Sequence, residues 1–360
     1  MAEPTAAPKP AKSRDEPLPI DLALQGGGAH GAFTWGVVER IFAQPDLRVD
    51  SITGTSAGAM NAAVAAHGYM DGGPAGVKLA LERFWRSVSD AARFSPIQRT
   101  PLDHAIGDWS LDRSPGYWFF DVFSRLFSPY EVNPANLNPL RDVLEASVDF
   151  ERLKDSPIKL FVNATNVRTG LPRVFRAGEV TADVILASAC LPLMHQAIEI
   201  GGDGYWDGGF SGNPLLTPLI HDRKARDILL VQVNPVERPG VPRTAREILN
   251  RLNEISFNSS LKKELRGIAM FQKLIGAGHA LGDLAWAEDW ATVRIHRVTT
   301  PMMVELNASS KLNAEWAFLS MLREEGHART EAFLATHGGD LGVRSSYDIS
   351  TLLDTLLELE

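Results

Sequence analysis

The chain has 360 residues, 44% of them hydrophobic, which suffices to bury a large core in one elaborated domain. A formal net charge of -8 argues against a broad nucleic-acid surface, because phosphate binding depends on clustered Lys and Arg. A single cysteine, Cys190, excludes an internal disulfide, leaves too few thiols for a thiolate metal cluster, and reads as a small buried filler.

Residues 1–16, rich in Ala, Pro and Lys, read as a disordered tail with no apolar stretch long enough for a signal peptide. No later stretch approaches a membrane span, so a cytoplasmic protein is expected. Residues 19–24 form an apolar run that stops at glycines, as a buried strand feeding a turn does. Phe33, Val37, Val38, Ile41 and Phe42 recur every three to four residues and predict a helix ended by Pro45. Residues 49–53 predict a second strand running into Gly54. The alanine-rich stretch 57–67 predicts a helix packed closely against the sheet.

Aromatics crowd between Trp109 and Tyr130, within an insertion of about residues 95–135. They suit either ordinary core or a lid over an apolar pocket, with membrane-surface contact as a variant of the second. Further β-like runs at 158–163 and 228–233 alternate with helical patterns, which predicts an α/β protein with a mostly parallel sheet. From 238 to 273 basic residues outnumber acidic ones, interleaved with Ile248, Leu249, Leu252, Ile255 and Leu265 at helical spacing. This reads as a helix with a solvated charged face, membrane docking being the rival. The expected organisation is a tail to residue 16, a catalytic core at 17–235, and a mainly helical part at 236–360 packed on it.

Three short segments carry chemistry. Gly54-Thr55-Ser56-Ala57-Gly58 has the form of a nucleophile elbow, a strained strand-to-helix turn that exposes a serine while glycines two residues away avoid collision. Gly26, Gly27 and Gly28, at the start of the first helix, offer backbone amides to a developing oxyanion, each such donor being worth ~3 kcal/mol in a barrier. A serine also needs a base. Asp207, between Trp206 and the turn residues Gly208 and Gly209, presents a carboxylate whose pKa burial would raise toward that of a working base. His195 and His221 are rival bases, but neither sits in a recognisable motif. A competing function is dinucleotide binding, since Gly26, Gly28 and Gly31 match the phosphate fingerprint, with Asp50 as the ribose acid. The elbow decides against it, because that fold puts no glycine-flanked serine after the second strand.

With these residues in hand, the chain resembles the patatin-like phospholipases over roughly residues 20–218: the glycine segment, the elbow, an Ala-Ser-Ala-X-X-Pro stretch from Ala187 to Pro192, and Asp-Gly-Gly. The resemblance implies a three-layer α/β fold and a Ser56–Asp207 dyad without catalytic histidine, metal or cofactor. It implies acyl esters of lipids as substrates, and leaves a catalytically silent lipid-binding scaffold as a further alternative. Many members carry Arg or Lys where this chain has His30, so a charge at that position is expected to depend on pH, which speaks against a phospholipid headgroup role for it and leaves simpler esters, and a carboxylesterase, open beside phospholipids.

Overall fold

A computed structural model describes residues 16–222, 224–277 and 285–353, so the expected tail lies outside the described residues except for Glu16. Eight strands form one sheet in the order β5-β6-β3-β2-β1-β7-β8, with β4 also paired to β3. The strands are β1 Leu18–Leu24, β2 Leu47–Gly54, β3 Lys159–Asn166, β4 Pro172–Arg176, β5 Ile198–Ile200, β6 Asp203–Trp206, β7 Asp227–Val231 and β8 Arg294–Val298. The five strands β3, β2, β1, β7 and β8 are parallel; β4, β6 and β5 attach by antiparallel pairing.

Side chains alternate across the central strands and so enter two separate cores. Leu22, Leu24, Leu229 and Val231 face one, while Ala23, Ile228 and Leu230 face the other. The first core is covered by α1 (Gly31–Phe42), by α2 (Ala57–Ala92) and by the Trp316–His337 helix. The second is covered by the Ala245–Gly276 helix through Leu261, Leu265 and Ile268. Three layers result, and strands buried on both faces account for near-continuous apolar runs such as that of β7.

The predicted helix at 57–67 continues to residue 92, broken at Gly72 and Gly73 with Pro74 opening the second half. The part after residue 236 does more than lie on the core. It supplies β8, the edge strand beside β7, and a helix fastened to α1 by the forked contact of Arg323 with Glu39 (2.9 and 2.8 Å). Among the described residues no helix is long and apolar enough to cross a membrane.

Register aligns the ends that matter. Leu24 lies opposite both Gly54 and Val231, and Gly54 opposite Val162. The loops after β1, β2 and β7 therefore open at one carboxyl edge, the usual ligand edge of an open α/β sheet. Antiparallel β6 runs down beside β3, with Trp206 opposite Thr165, and delivers Asp207 to the same level.

A candidate active site at the carboxyl edge of the sheet

Ser56 has φ 54° and ψ -124°, a backbone conformation that L-residues rarely adopt. Such strain persists only where the surroundings impose it. Here the turn passes so close to its neighbours that a Cβ on Gly58 would stand 2.2 Å from the Leu24 carbonyl oxygen. The Ser56 amide donates to Ser188 Oγ (2.9 Å), which gives the Ala187–Pro192 stretch a physical role: it holds the elbow from the side. Thr55 Oγ1 donates to the Gly212 carbonyl (2.9 Å) and to Asn163 Oδ1 (2.5 Å). Asn163 Nδ2 in turn donates to the carbonyls of Gly208 (3.0 Å) and Gly212 (2.9 Å). One β3 side chain thus ties the elbow to the loop that carries Asp207.

Asp207 is 2% exposed and lines the same cavity as Ser56. Burial pushes its pKa up to about 7; the Gly209 amide, the Ser56 hydroxyl and the more distant Lys311 ammonium hold it from rising further. The amide contact is a 2.7 Å bond to Oδ1. The Asp207 backbone is held on both sides, its N–H donating to the Cys190 carbonyl (2.8 Å) and its C=O accepting from Thr165 Oγ1 (2.8 Å). Cys190 itself is buried as expected, its thiol pushed up to about 12.

The glycine segment divides into two roles. The Gly26 amide donates to Asn213 Oδ1 (2.7 Å) and its carbonyl accepts from Asn234 Nδ2 (2.7 Å), so this residue is fastened to the scaffold and does not line the cavity. The Gly26 amide, expected to face an oxyanion, is thus already committed to Asn213. Gly27 and Gly28 do line the cavity, and their amides have no hydrogen-bond partner among the described residues. Gly28 needs to be glycine on two counts: its φ is +58°, and a Cβ would sit 2.4 Å from the Lys311 carbonyl oxygen.

The rival bases fare differently. His195 lines the cavity, but among the described residues no hydrogen bond joins its ring to Ser56 or Asp207, and burial lowers its pKa. His221 packs its ring against Trp290, away from the cavity. Nor is Asp50 at the ligand edge; it pairs with Arg48 (2.9 Å) four residues before the elbow end of β2. The expected pH-dependent charge at His30 is also corrected. Burial, reinforced by the nearby Lys311 and Arg238 charges, lowers its pKa to about 3, so the ring is neutral near pH 7.

The cavity measures about 310 Å³, and Met60, Phe84, Trp85, Val88, Leu140 and Leu191 give it a largely apolar wall. No residue of 109–130 lines it, so the lid expectation is not met. Trp118 and Phe119 are 62% and 61% exposed. Sequence reasoning missed Asn163, Asn213, Ser188, Lys311 and Asn253. Of these, Lys311 and Asn253 line the cavity, and both come from the part after residue 236.

Comparison with known proteins bears on the whole arrangement. No curated protein matches the chain. Among solved structures it is similar to VipD from Legionella pneumophila, at 13% identity and a TM-score of 0.32, over 94% of this chain and 79% of that one. It is also similar to full-length ExoU, solved with SpcU from the type III secretion system of Pseudomonas aeruginosa, at 16% identity and a TM-score of 0.27, over 96% and 77%. A family model described as Patatin-like phospholipase matches residues 22–220, which include the glycine segment, the elbow and Asp207, and this chain belongs to that family of lipid acyl hydrolases.

Proposed function

We propose that this chain is a serine acyl hydrolase in which Asp207 is the base, Ser56 the nucleophile, and the Gly27 and Gly28 amides the oxyanion donors. The observation that carries the proposal is a carboxylate lifted to about 7 sharing an acyl-sized apolar cavity with a serine held at an elbow. A carboxylate near pH 7 is ionised often enough to act and basic enough to accept a proton.

In acylation, Asp207 takes the Ser56 proton as Oγ attacks the ester carbonyl carbon, and the carbonyl oxygen becomes an oxyanion facing the two amides. Collapse breaks the bond to the leaving alcohol, which takes the proton from Asp207. In deacylation a water gives its proton to Asp207 and attacks the acyl-serine; collapse returns the proton to Ser56 and releases the acid. The apolar wall receives the acyl chain. Metal or nucleotide has no part in this scheme.

Contact with a lipid surface follows from the same reading. Leu252 and Ile255 are 57% and 51% exposed on the Ala245–Gly276 helix, whose Asn253 and Phe257 line the cavity. The Arg246 pair with Asp112 (3.1 Å) joins that helix to the insertion bearing exposed Trp118, Phe119 and Leu126. Exposed apolar side chains of this kind suit contact with a bilayer interface. Vesicle co-sedimentation unchanged in Trp118→Ser/Phe119→Ser would remove this part of the proposal.

The central test is fluorophosphonate labelling beside turnover of a p-nitrophenyl ester. Wild type labels and turns over; Ser56→Ala does neither while its melting temperature stays near that of wild type. A silent lipid-binding scaffold would show neither label nor turnover in wild type. A dinucleotide-binding protein would instead respond to NAD(P) or FAD in its intrinsic Trp fluorescence.

A further inference from the structure

Lys311 belongs to the short turn Ser309–Leu312, far beyond the residues that the family model matches. Its carbonyl presses against Gly28, and its neighbour Ser310 accepts a hydrogen bond from His30 Nε2 (2.8 Å). The donor is His30, because the Ser310 hydroxyl spends its own proton on the Asn307 carbonyl (2.7 Å). The glycine segment and the Lys311 turn are thus joined by two contacts. His30 is neutral at pH 7, and the residue it docks, Ser310, stands next to a lysine.

The Lys311 ammonium is poorly matched. Nζ donates to Asn234 Oδ1 (2.8 Å) and Asn253 Oδ1 (3.2 Å), both neutral, and an ammonium has three protons to give. Among the described residues no carboxylate reaches it at ion-pair distance. Among the described residues, Lys311 is the one Lys or Arg lining the cavity that also holds Ser56 and Asp207. A cation withdrawn from water without a counter-ion is costly to keep charged. Burial accordingly lowers the Lys311 pKa to about 8, with the Glu254 and Asp207 charges opposing and that of Arg238 adding to the fall. At neutral pH the ammonium is charged, with two neutral asparagine oxygens and the face of the Phe257 ring 6.0 Å away as its partners, and with no anion among them.

We propose that Lys311 is the anion subsite of this cavity: it receives a phosphate carried near the scissile ester, and makes the chain prefer acyl glycerophosphates to neutral acylglycerols. The proposal rests on the acyl-hydrolase reading for which bond is cut, but the subsite exists whether or not the bond is cut. Lysine suits phosphate as a compact charge with rotatable donors, and no paired guanidinium fork faces the cavity to favour a carboxylate. The acyl chain lies along Trp85 and Met60 while the headgroup stays on the Asn253 side.

The test separates binding from turnover. In the Ser56→Ala background, hexanoyl-glycerol and hexanoyl-glycerol phosphate are titrated against Trp fluorescence, since Trp85 is in the wall. Inorganic phosphate is run as a third arm. The phosphate ester should bind at least about tenfold tighter than the neutral one, a difference of ~1.4 kcal/mol. Lys311→Met should abolish the preference and Lys311→Arg keep most of it. Inorganic phosphate should compete weakly with the phosphate ester only. The preference should fade above pH 8, where Lys311 loses its proton while Asp207 is already ionised and His30 stays neutral. Equal weakening of both esters by Lys311→Met, or no preference in the parent, overturns the subsite. Absence of labelling in wild type would overturn the hydrolase while these titrations still decide the subsite.

Discussion

Two buried aspartates on one sheet have opposite fates. Asp207 and Asp227 are 2% and 1% exposed. Burial raises both, yet Asp207 ends near 7 while His296, Arg294 and the Gly342 amide pull Asp227 well below the usual carboxylate range. Asp227 accepts from Arg294 at 3.0 and 2.7 Å, from His296 Nε2 at 2.9 Å and from the Gly342 amide at 2.8 Å. Asp207 receives one backbone amide, the serine and a more distant charge. Burial sets the cost of ionisation, and the donor set decides whether the group remains a base. The contrast is sharper because His296 Nδ1 also meets Ser346 Oγ at 2.9 Å, completing a Ser–His–Asp line by distance alone. That line holds the segment around Gly342 to Tyr347 against β8; its acid is already matched by Arg294. In the proposed mechanism it is the carboxylate without a histidine that moves a proton.

The comparison breaks most visibly in turnover. Asp207→Asn should lower kcat/KM on a neutral p-nitrophenyl ester about 10⁴-fold, whereas Asp227→Asn should stay within about threefold of wild type. In wild type, kcat/KM should rise with pH along a limb centred near 7, because the base must be ionised. A limb centred near 4 would remove Asp207 as the base. Stability moves the other way. A carboxyl whose folded pKa lies above its unfolded value costs stability as pH rises from 3.8 to about 7, so Asp207→Asn should melt higher than wild type at pH 8 and level with it at pH 3.

Gly28→Ala comes next, at about 10² to 10³ in kcat, because a Cβ at φ +58° against the Lys311 carbonyl displaces an amide that the oxyanion needs. Loss of the same size in labelling rate and turnover, with melting lowered only slightly, is the expected pattern. An unchanged labelling rate would mean that the donors lie elsewhere.

Local chemistry made much of this legible. The β1 run, the elbow and the Asp-Gly-Gly turn are each decided within about seven residues, and glycine at such turns answers to contacts a few ångströms away. The partners of those motifs were not legible. Asn163 and Asn213 act across separations of 108 and 187 residues, as single polar side chains without a local pattern, while Ser188, inside a stretch with a pattern, gives no local sign of the elbow amide it meets 132 residues away. Lys311 sits 280 or so residues from the glycines it touches, and β8 joins the sheet from the same distant part. Aromatic density around Trp118 revealed apolar surface but not its direction, since a short helix with Pro115 at its start can turn that face either way. His30 was misjudged because its pKa depends on burial by the turn around Ser310, which nothing near residue 30 announces.

Stability separates the aspartates in the opposite sense from turnover. Asp227→Asn leaves Arg294 and His296 without their acceptor and should cost about 3 kcal/mol. Asp227 has a depressed folded pKa, so its contribution is present above 3.8 and is lost as pH falls below that value. The melting gap between variant and wild type should therefore be full at pH 7 and shrink in strong acid. A gap that persists undiminished in acid would show that packing, not charge, accounts for it.

A third buried acid gives the smallest and most pointed effect. Asp21 on β1 is fully buried, and burial together with the Asp50 and Asp222 charges raises its pKa to about 8. It has neither the arginine fork of Asp227 nor the task of Asp207, so its ionisation only costs stability. Because the folded pKa exceeds the unfolded one, that cost grows as pH climbs from 3.8 through about 8. Asp21→Asn keeps the shape and deletes the titration, so its melting temperature should equal that of wild type near pH 4 and exceed it by about 2–4 °C at pH 9. Ester turnover should not change, since Asp21, at the middle of β1, does not line the cavity that holds Ser56 and Asp207. Equal melting of the two proteins at pH 9 would mean that Asp21 finds a donor when it ionises, and that the donor set again overrides burial.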